Sequence, residues 1–211
     1  MNELKKAKRV IEGVAGRIES FRAPMLRINE DTVRALEETG FLSDTSIASQ
    51  RFDGPLTFGS KRKLKWLIAP RKPYMISYDS IVKSGSSNIL EIPISAAIFP
   101  FIGTMMRISP FITKILQKYL YREYKKTGKP IVFLFHPNEC LDIGDKIVAT
   151  RRTNSPVEYL FADVIRHKLK LKNLGLASLR LLDEVLMSAK EYGFEFVKVN
   201  EYTKMYKLNQ D

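Results

Sequence analysis

The residues of this chain best suited to chemistry gather where one apolar run ends. Ile131-Val132-Phe133-Leu134-Phe135 leads directly into His136, Pro137, Asn138 and Glu139, with Asp142 close behind. Five apolar residues in a row, with β-branched and aromatic side chains among them, predict a strand buried on both faces. Pro137 ends its ladder, because proline has no N–H to give. Strands buried on both faces belong to parallel sheets and barrels, whose functional groups collect at the carboxyl ends of the strands. His136 stands at such an end. An imidazole changes charge close to neutral pH. A histidine capped by a carbonyl in the core is the alternative, but the chain has only two histidines and this one opens a polar cluster. The run therefore reads as a candidate site.

The rest of the composition bounds the possibilities. With 211 residues, 45% of them hydrophobic, the chain is long enough for one sizeable core, so a single domain over 1–211 is expected. Lys and Arg total 35 against 23 Asp and Glu, a net charge of +12 that suits an anionic partner such as nucleic acid, an acidic glycan or a phospholipid face. Cys140 is the one cysteine, which excludes an internal disulfide and any cysteine-rich zinc motif. No apolar signal run follows the charged start Met1-Asn2-Glu3-Leu4-Lys5, so the reading is cytoplasmic. The apolar tract 98–108 falls short of the roughly 20 residues needed to span a bilayer, so no transmembrane segment is expected.

Elements that would position the site follow from periodicity and capping. Leu4, Ala7, Val10, Ile11 and Val14 make one helical face, stopped by Gly16. A short strand is expected over 18–24. Asn29 then caps a helix with Glu30 and Asp31 in its first turn and Ile28 and Val33 as a staple, ending at Gly40. Extended segments are expected over 41–49, 65–68, 74–78 and 89–95, the last with Glu91 and Pro93 inside it. Residues 51–88 are rich in Gly, Pro and Ser and read as a loop-rich insertion. Within it Lys61-Arg62-Lys63-Leu64-Lys65-Trp66 reads as a solvated basic face with one anchoring aromatic, and nucleic acid is disfavoured as a partner. A helix from Phe111 to about Lys126 would bury Phe111, Ile112, Ile115, Leu116, Tyr119 and Leu120, and Gly128 would close it. The loop 142–156 contains Arg151 and Arg152. His167 lies in a basic run and reads as solvated surface. A last helix over 174–192 would bury Leu174, Ala177, Leu181, Leu182, Val185 and Ala189, and 194–199 alternates as a closing strand. Strand and helix in alternation predict an α/β fold with a largely parallel sheet.

Several of these segments carry a resemblance in the right order. Phe21-Arg22-Ala23-Pro24, Arg27 to Thr32 and Ala35 to Ser46 resemble the third motif region of the polysaccharide deacetylase (NodB-homology, carbohydrate esterase 4) family. Leu90 to Ser95 is similar to the family's next barrel strand, Phe133-Leu134-Phe135-His136-Pro137 to its catalytic-histidine motif, and 181–197 to its last helix and strand. The resemblance implies a distorted (β/α) barrel that removes N- or O-acyl groups from carbohydrates with a divalent metal such as zinc. It makes His136 the general acid for the leaving group and Arg22 the arginine that holds the catalytic aspartate. Pro24 and Met25 would line the substrate side, with the Met25 N–H facing the oxyanion, and Asn138 and Glu139 would line the rim near His136.

The departures are as informative. The family's Asp-Asp strand and His-x-x-x-His pair have no counterpart here, so no metal site is expected in this chain. The expectation is a partial barrel with its N-terminal βα units missing, the C-terminal portion of a deacetylase-like domain, incomplete or inactive alone. It would work with a complementing N-terminal chain or self-associate. Two other readings stay open: a non-catalytic remnant that binds glycans or assembles with a partner, and a basic module for nucleic acid or anionic lipid.

Overall fold

The computed structural model of the chain describes residues 2–49, 66–142 and 164–209. They form two compact units, one built from 2–49, 68–94 and 196–209 and the other from 66–67, 95–142 and 164–195. The basic tract 61–65 and Arg151-Arg152 lie outside the described residues. No described helix is long and apolar enough to cross a membrane.

In the first unit, helix α1 (Asn2–Ala15) is closed by Gly16, whose φ of 74° takes the left-handed turn that a Cβ would disfavour. Its contacts reverse the sequence reading. Lys8 gives its ammonium to the carbonyls of Thr39 and Gly40, and Glu12 accepts the Ile18 N–H, while Val10, Ile11 and Val14 are 65%, 49% and 91% exposed. The polar side is thus the one that docks. Strand β1 (Ser20–Phe21) follows, shorter than expected. Helix α2 (Glu30–Glu38) starts as predicted: the Thr32 N–H donates to Asn29 Oδ1 at 2.9 Å and the Asn29 N–H to Thr32 Oγ1 at 3.3 Å. Val33 and Leu36 fill the core beneath it.

Strands β2 (Ser43–Asp44), β3 (Tyr74–Met75) and β4 (Leu90–Glu91) complete an open four-stranded sheet in the order β1-β2-β4-β3. β1, β2 and β4 are parallel and β3 is antiparallel to β4. The strands are short, but pairing continues past them through Thr45 N–H to Phe21 O, Ile92 N–H to Asp44 O and Ile94 N–H to Ile47 O. The expected alternation of strand and helix therefore yields a mixed α/β fold with a mostly parallel sheet. Residues 66–68, expected as extended, form a 3-10 turn, and Trp66 is 3% exposed. The closing strand expected over 194–199 is replaced by unpaired chain and a helix (Val199–Leu208). In the second unit Phe194 is instead held by the rings of Tyr121 and Tyr124.

In the second unit, strands β5 (Ala96–Ala97) and β6 (Phe99–Pro100) make a tight hairpin, and helix α3 (Gly103–Ile108) packs against α4 (Pro110–Thr127), α5 (Arg166–Leu171) and α6 (Leu176–Glu191); the terminal helix above is α7. Phe101, Met106, Leu116, Leu120 and Val185 form the core, with Ile131, Phe133, Leu181 and Leu182 against it. α4 buries Thr113, Leu116, Gln117, Leu120 and Tyr121, whereas Phe111, Ile115 and Tyr119, expected inside, are 73%, 53% and 47% exposed. Gly128 ends α4 at φ 66° as predicted.

The run 131–135 is a second correction. It makes one parallel bridge, Leu134 to Ile102, and Leu134 alone of the five is buried. Its neighbour, 95–103, is broken by the β5–β6 hairpin and the start of α3, so a regular ladder has nothing to pair with. Ser95 makes up the difference: its N–H donates to Val132 O at 3.0 Å, and its Oγ accepts the Val132 N–H at 3.0 Å.

Candidate functional site

The strand register lines up Phe21, Asp44, Glu91 and Tyr74 in one row across the sheet, so their side chains share a face. Asp44 and Glu91 are directly opposite each other, both fully buried. Ser46 Oγ donates to Asp44 Oδ1 at 2.7 Å and itself accepts the Ala23 N–H at 2.8 Å. The Ile47 N–H donates to Glu91 Oε1 at 3.0 Å. Burial pushes both carboxyls above the usual range, and Glu91 rises further because the Asp44 charge and its hydrogen bond lie beside it.

Arg22 occupies the carboxyl end of β1. Its Nε donates to Thr45 O and its Nη2 to Thr45 Oγ1, each at 3.0 Å. The half-buried guanidinium is lowered by desolvation, and the nearby Asp44 and Glu91 charges oppose that shift. Burial, with the same two carboxyls, raises Tyr74, whose hydroxyl donates to Ile81 O at 2.6 Å. Pro24 and Met25 follow in a 3-10 turn that is exposed to solvent. Met25 and Leu26 both sit at φ 55°, a left-handed conformation that costs an ordinary L-residue roughly 1–2 kcal/mol. Two such residues in succession beside Arg22 mark the turn as one the surroundings enforce.

His136 belongs to the second unit. It is exposed and caps the 3-10 turn Pro137–Cys140, accepting the Glu139 N–H on its carbonyl at 2.9 Å. Asn138 is exposed beside it. Glu139 turns inward: its Oε1 accepts from Thr104 Oγ1 at 2.9 Å and from Arg107 Nη2 at 3.3 Å. The structure thus groups Arg22, Pro24 and Met25 in one unit and His136, Asn138 and Glu139 in the other. His167 lies on α5.

No protein-family model matches this chain, and no curated protein matches it. A solved structure from Mycobacterium smegmatis described as a "putative polysaccharide deacetylase" is similar over 64% of this chain and 41% of its own, with 20% identity and a TM-score of 0.41. The chain spans less than half the length of that structure.

A divalent metal does not fit the carboxyl row. Asp44 Oδ1 and Glu91 Oε1 are taken by Ser46 and Ile47, the row of Phe21, Asp44, Glu91 and Tyr74 offers two carboxyls and no imidazole, and the positive charge of Arg22 acts on both carboxyls. Among the described residues no three His, Cys, Asp or Glu converge. Glu91 escaped the sequence reading as a site residue. Its signal was a lone carboxylate inside the aliphatic strand 89–94, where a charge survives only with a partner.

Proposed function

We propose that the chain is a carbohydrate deacylase of polysaccharide deacetylase type, hydrolysing N- or O-acyl groups on a distorted (β/α) barrel. The observation that carries this reading is Arg22, clamped by Thr45 beside two buried carboxyls at the carboxyl ends of three parallel strands. The ordered motif resemblances support it. His136, exposed at the turn after 131–135, gives a proton to the departing amine or hydroxyl, and Arg22 stabilises negative charge at its strand end. In the family a divalent metal such as zinc activates the water; its donors would lie upstream of this sequence or on a complementing N-terminal chain. The exposed apolar face of α1 favours a second reading, a remnant that assembles with a partner.

The test uses an acetylated chito-oligosaccharide. Ring signals of the two histidines are followed by NMR during titration, and acetate release is measured after adding zinc and a polypeptide bearing the Asp-Asp and His-x-x-x-His motifs. The deacylase reading expects the His136 signal to shift and acetate to appear in the mixture only. Binding without release supports the remnant, and neither binding nor release overturns both.

A further inference from the structure

We propose that Asp44 and Glu91 act as one carboxyl pair sharing a single proton. The pair does not rest on the deacylase reading.

The donor inventory leaves little choice. Asp44 Oδ1 receives Ser46 Oγ and Glu91 Oε1 receives the Ile47 N–H, while Asp44 Oδ2 and Glu91 Oε2 have no other donor among the described residues. The strand register puts the two groups side by side, both at 0% exposure. Two ionised carboxylates in that position would repel without water to screen them. With one proton between them they attract, and the pair carries one negative charge instead of two. The proton belongs on Glu91, because the Asp44 charge beside it adds to the effect of burial.

Other elements do not alter this balance. Tyr74, opposite Glu91 on β3, directs its hydroxyl to Ile81 O and is held neutral by burial. α7 packs against β2, but Lys204 turns to Glu19 at 3.6 Å, Lys207 to Asn88 O at 3.2 Å and Tyr206 to Pro73 O at 3.2 Å. Tyr202 is kept neutral at ordinary pH, pushed up to about 12 by burial. The charge of Arg22 acts on both carboxyls, while its hydrogen bonds go to Thr45, next after Asp44. Removing the shared proton would set two buried charges side by side.

The decisive variant is Glu91→Gln, whose amide can donate to Asp44 Oδ2 while its oxygen still accepts from Ile47. In the unmodified chain the folded state binds the extra proton, so stability should fall as pH rises from the ordinary carboxylate range toward the raised value. Urea melts across pH should show that fall, and Glu91→Gln should abolish it. Carbon-13 NMR of the side-chain carboxyls should find Glu91 protonated at pH 7. Urea melts at pH 7 should find Glu91→Gln close to the unmodified chain and Glu91→Ala well below it, since alanine leaves the Ile47 N–H and Asp44 Oδ2 without a partner. Glu91 ionised at pH 7, or Glu91→Gln as disruptive as Glu91→Ala, would overturn the proposal. None of these measurements uses a carbohydrate, so this pair can fail while deacylation stands, and the reverse.

Discussion

Arg107 and Glu139, each almost wholly buried, form an ion pair at 3.3 Å that ties α3 to the turn opened by His136. The guanidinium also donates through Nη1 to Lys172 O at 2.8 Å, and the Gly175 N–H donates to Glu139 O at 3.1 Å. Gly103 makes room for this arrangement. A Cβ there would run into the Glu139 carboxylate and come within 2.7 Å of Phe135 Cδ2. Stripping one partner leaves the other charge buried without its counter-ion, so Arg107→Ala should destabilise the second unit by about 3–5 kcal/mol. Urea denaturation measures it, and a loss under 1 kcal/mol would mean that the pair behaves like a surface contact.

Leu120 and Ile115 lie on the same helix with opposite surroundings, one at 0% and the other at 53% exposure. Leu120→Ala should cost about 2–5 kcal/mol through the cavity it leaves. Ile115→Ala should stay within about 0.5 kcal/mol. Equal losses from the two changes would put the apolar stripe of α4 back inside.

Glu37 on α2 accepts from the Tyr78 hydroxyl and from the backbone and side-chain N–H groups of Asn88. Desolvation is the largest single influence and raises this carboxyl, but the hydrogen bonds and the Arg34 charge together outweigh it and hold it below its ordinary value. The folded state therefore binds fewer protons than the unfolded state in that range. The resulting stabilisation is present above the unfolded carboxylate value of about 4.3 and is lost as pH falls through the lowered one. Stability curves for the unmodified chain and Glu37→Gln should converge in acid. Tyr78→Phe should raise the Glu37 titration midpoint in carbon-13 spectra.

His136→Ala should lower acetate release in the reconstituted mixture about 10²- to 10⁴-fold while leaving oligosaccharide affinity nearly intact, because a general acid acts in the transition state. Steady-state kinetics alongside a binding titration separate the two effects. A rise in KM with kcat unchanged would make His136 a binding residue instead.

Local signals were legible from the residues alone. Asn29 and Thr32 cap α2, and Gly16, Gly40 and Gly128 end helices in the left-handed region, because such bonds and dihedrals involve only neighbours in the chain. The alternation that predicted an α/β fold is also local. What periodicity could not say is where a stripe would face. α1 docks through Lys8 and Glu12 and turns its apolar side outward, and α4 buries Leu116 and Leu120 of the expected stripe but leaves Phe111, Ile115 and Tyr119 exposed. The run 131–135 has the composition of a buried strand, but a strand needs a partner edge, and residues 95–103 offer one bridge and a serine hydroxyl. The site followed the same division. Arg22 and His136 could be singled out by resemblance, whereas the pairing of Asp44 with Glu91 exists only because β2 and β4 meet in one register. A shift of one residue would turn every side chain on one strand to the other face. Register is a property of two distant segments packed together, so only the tertiary structure decided that these carboxyls stand side by side.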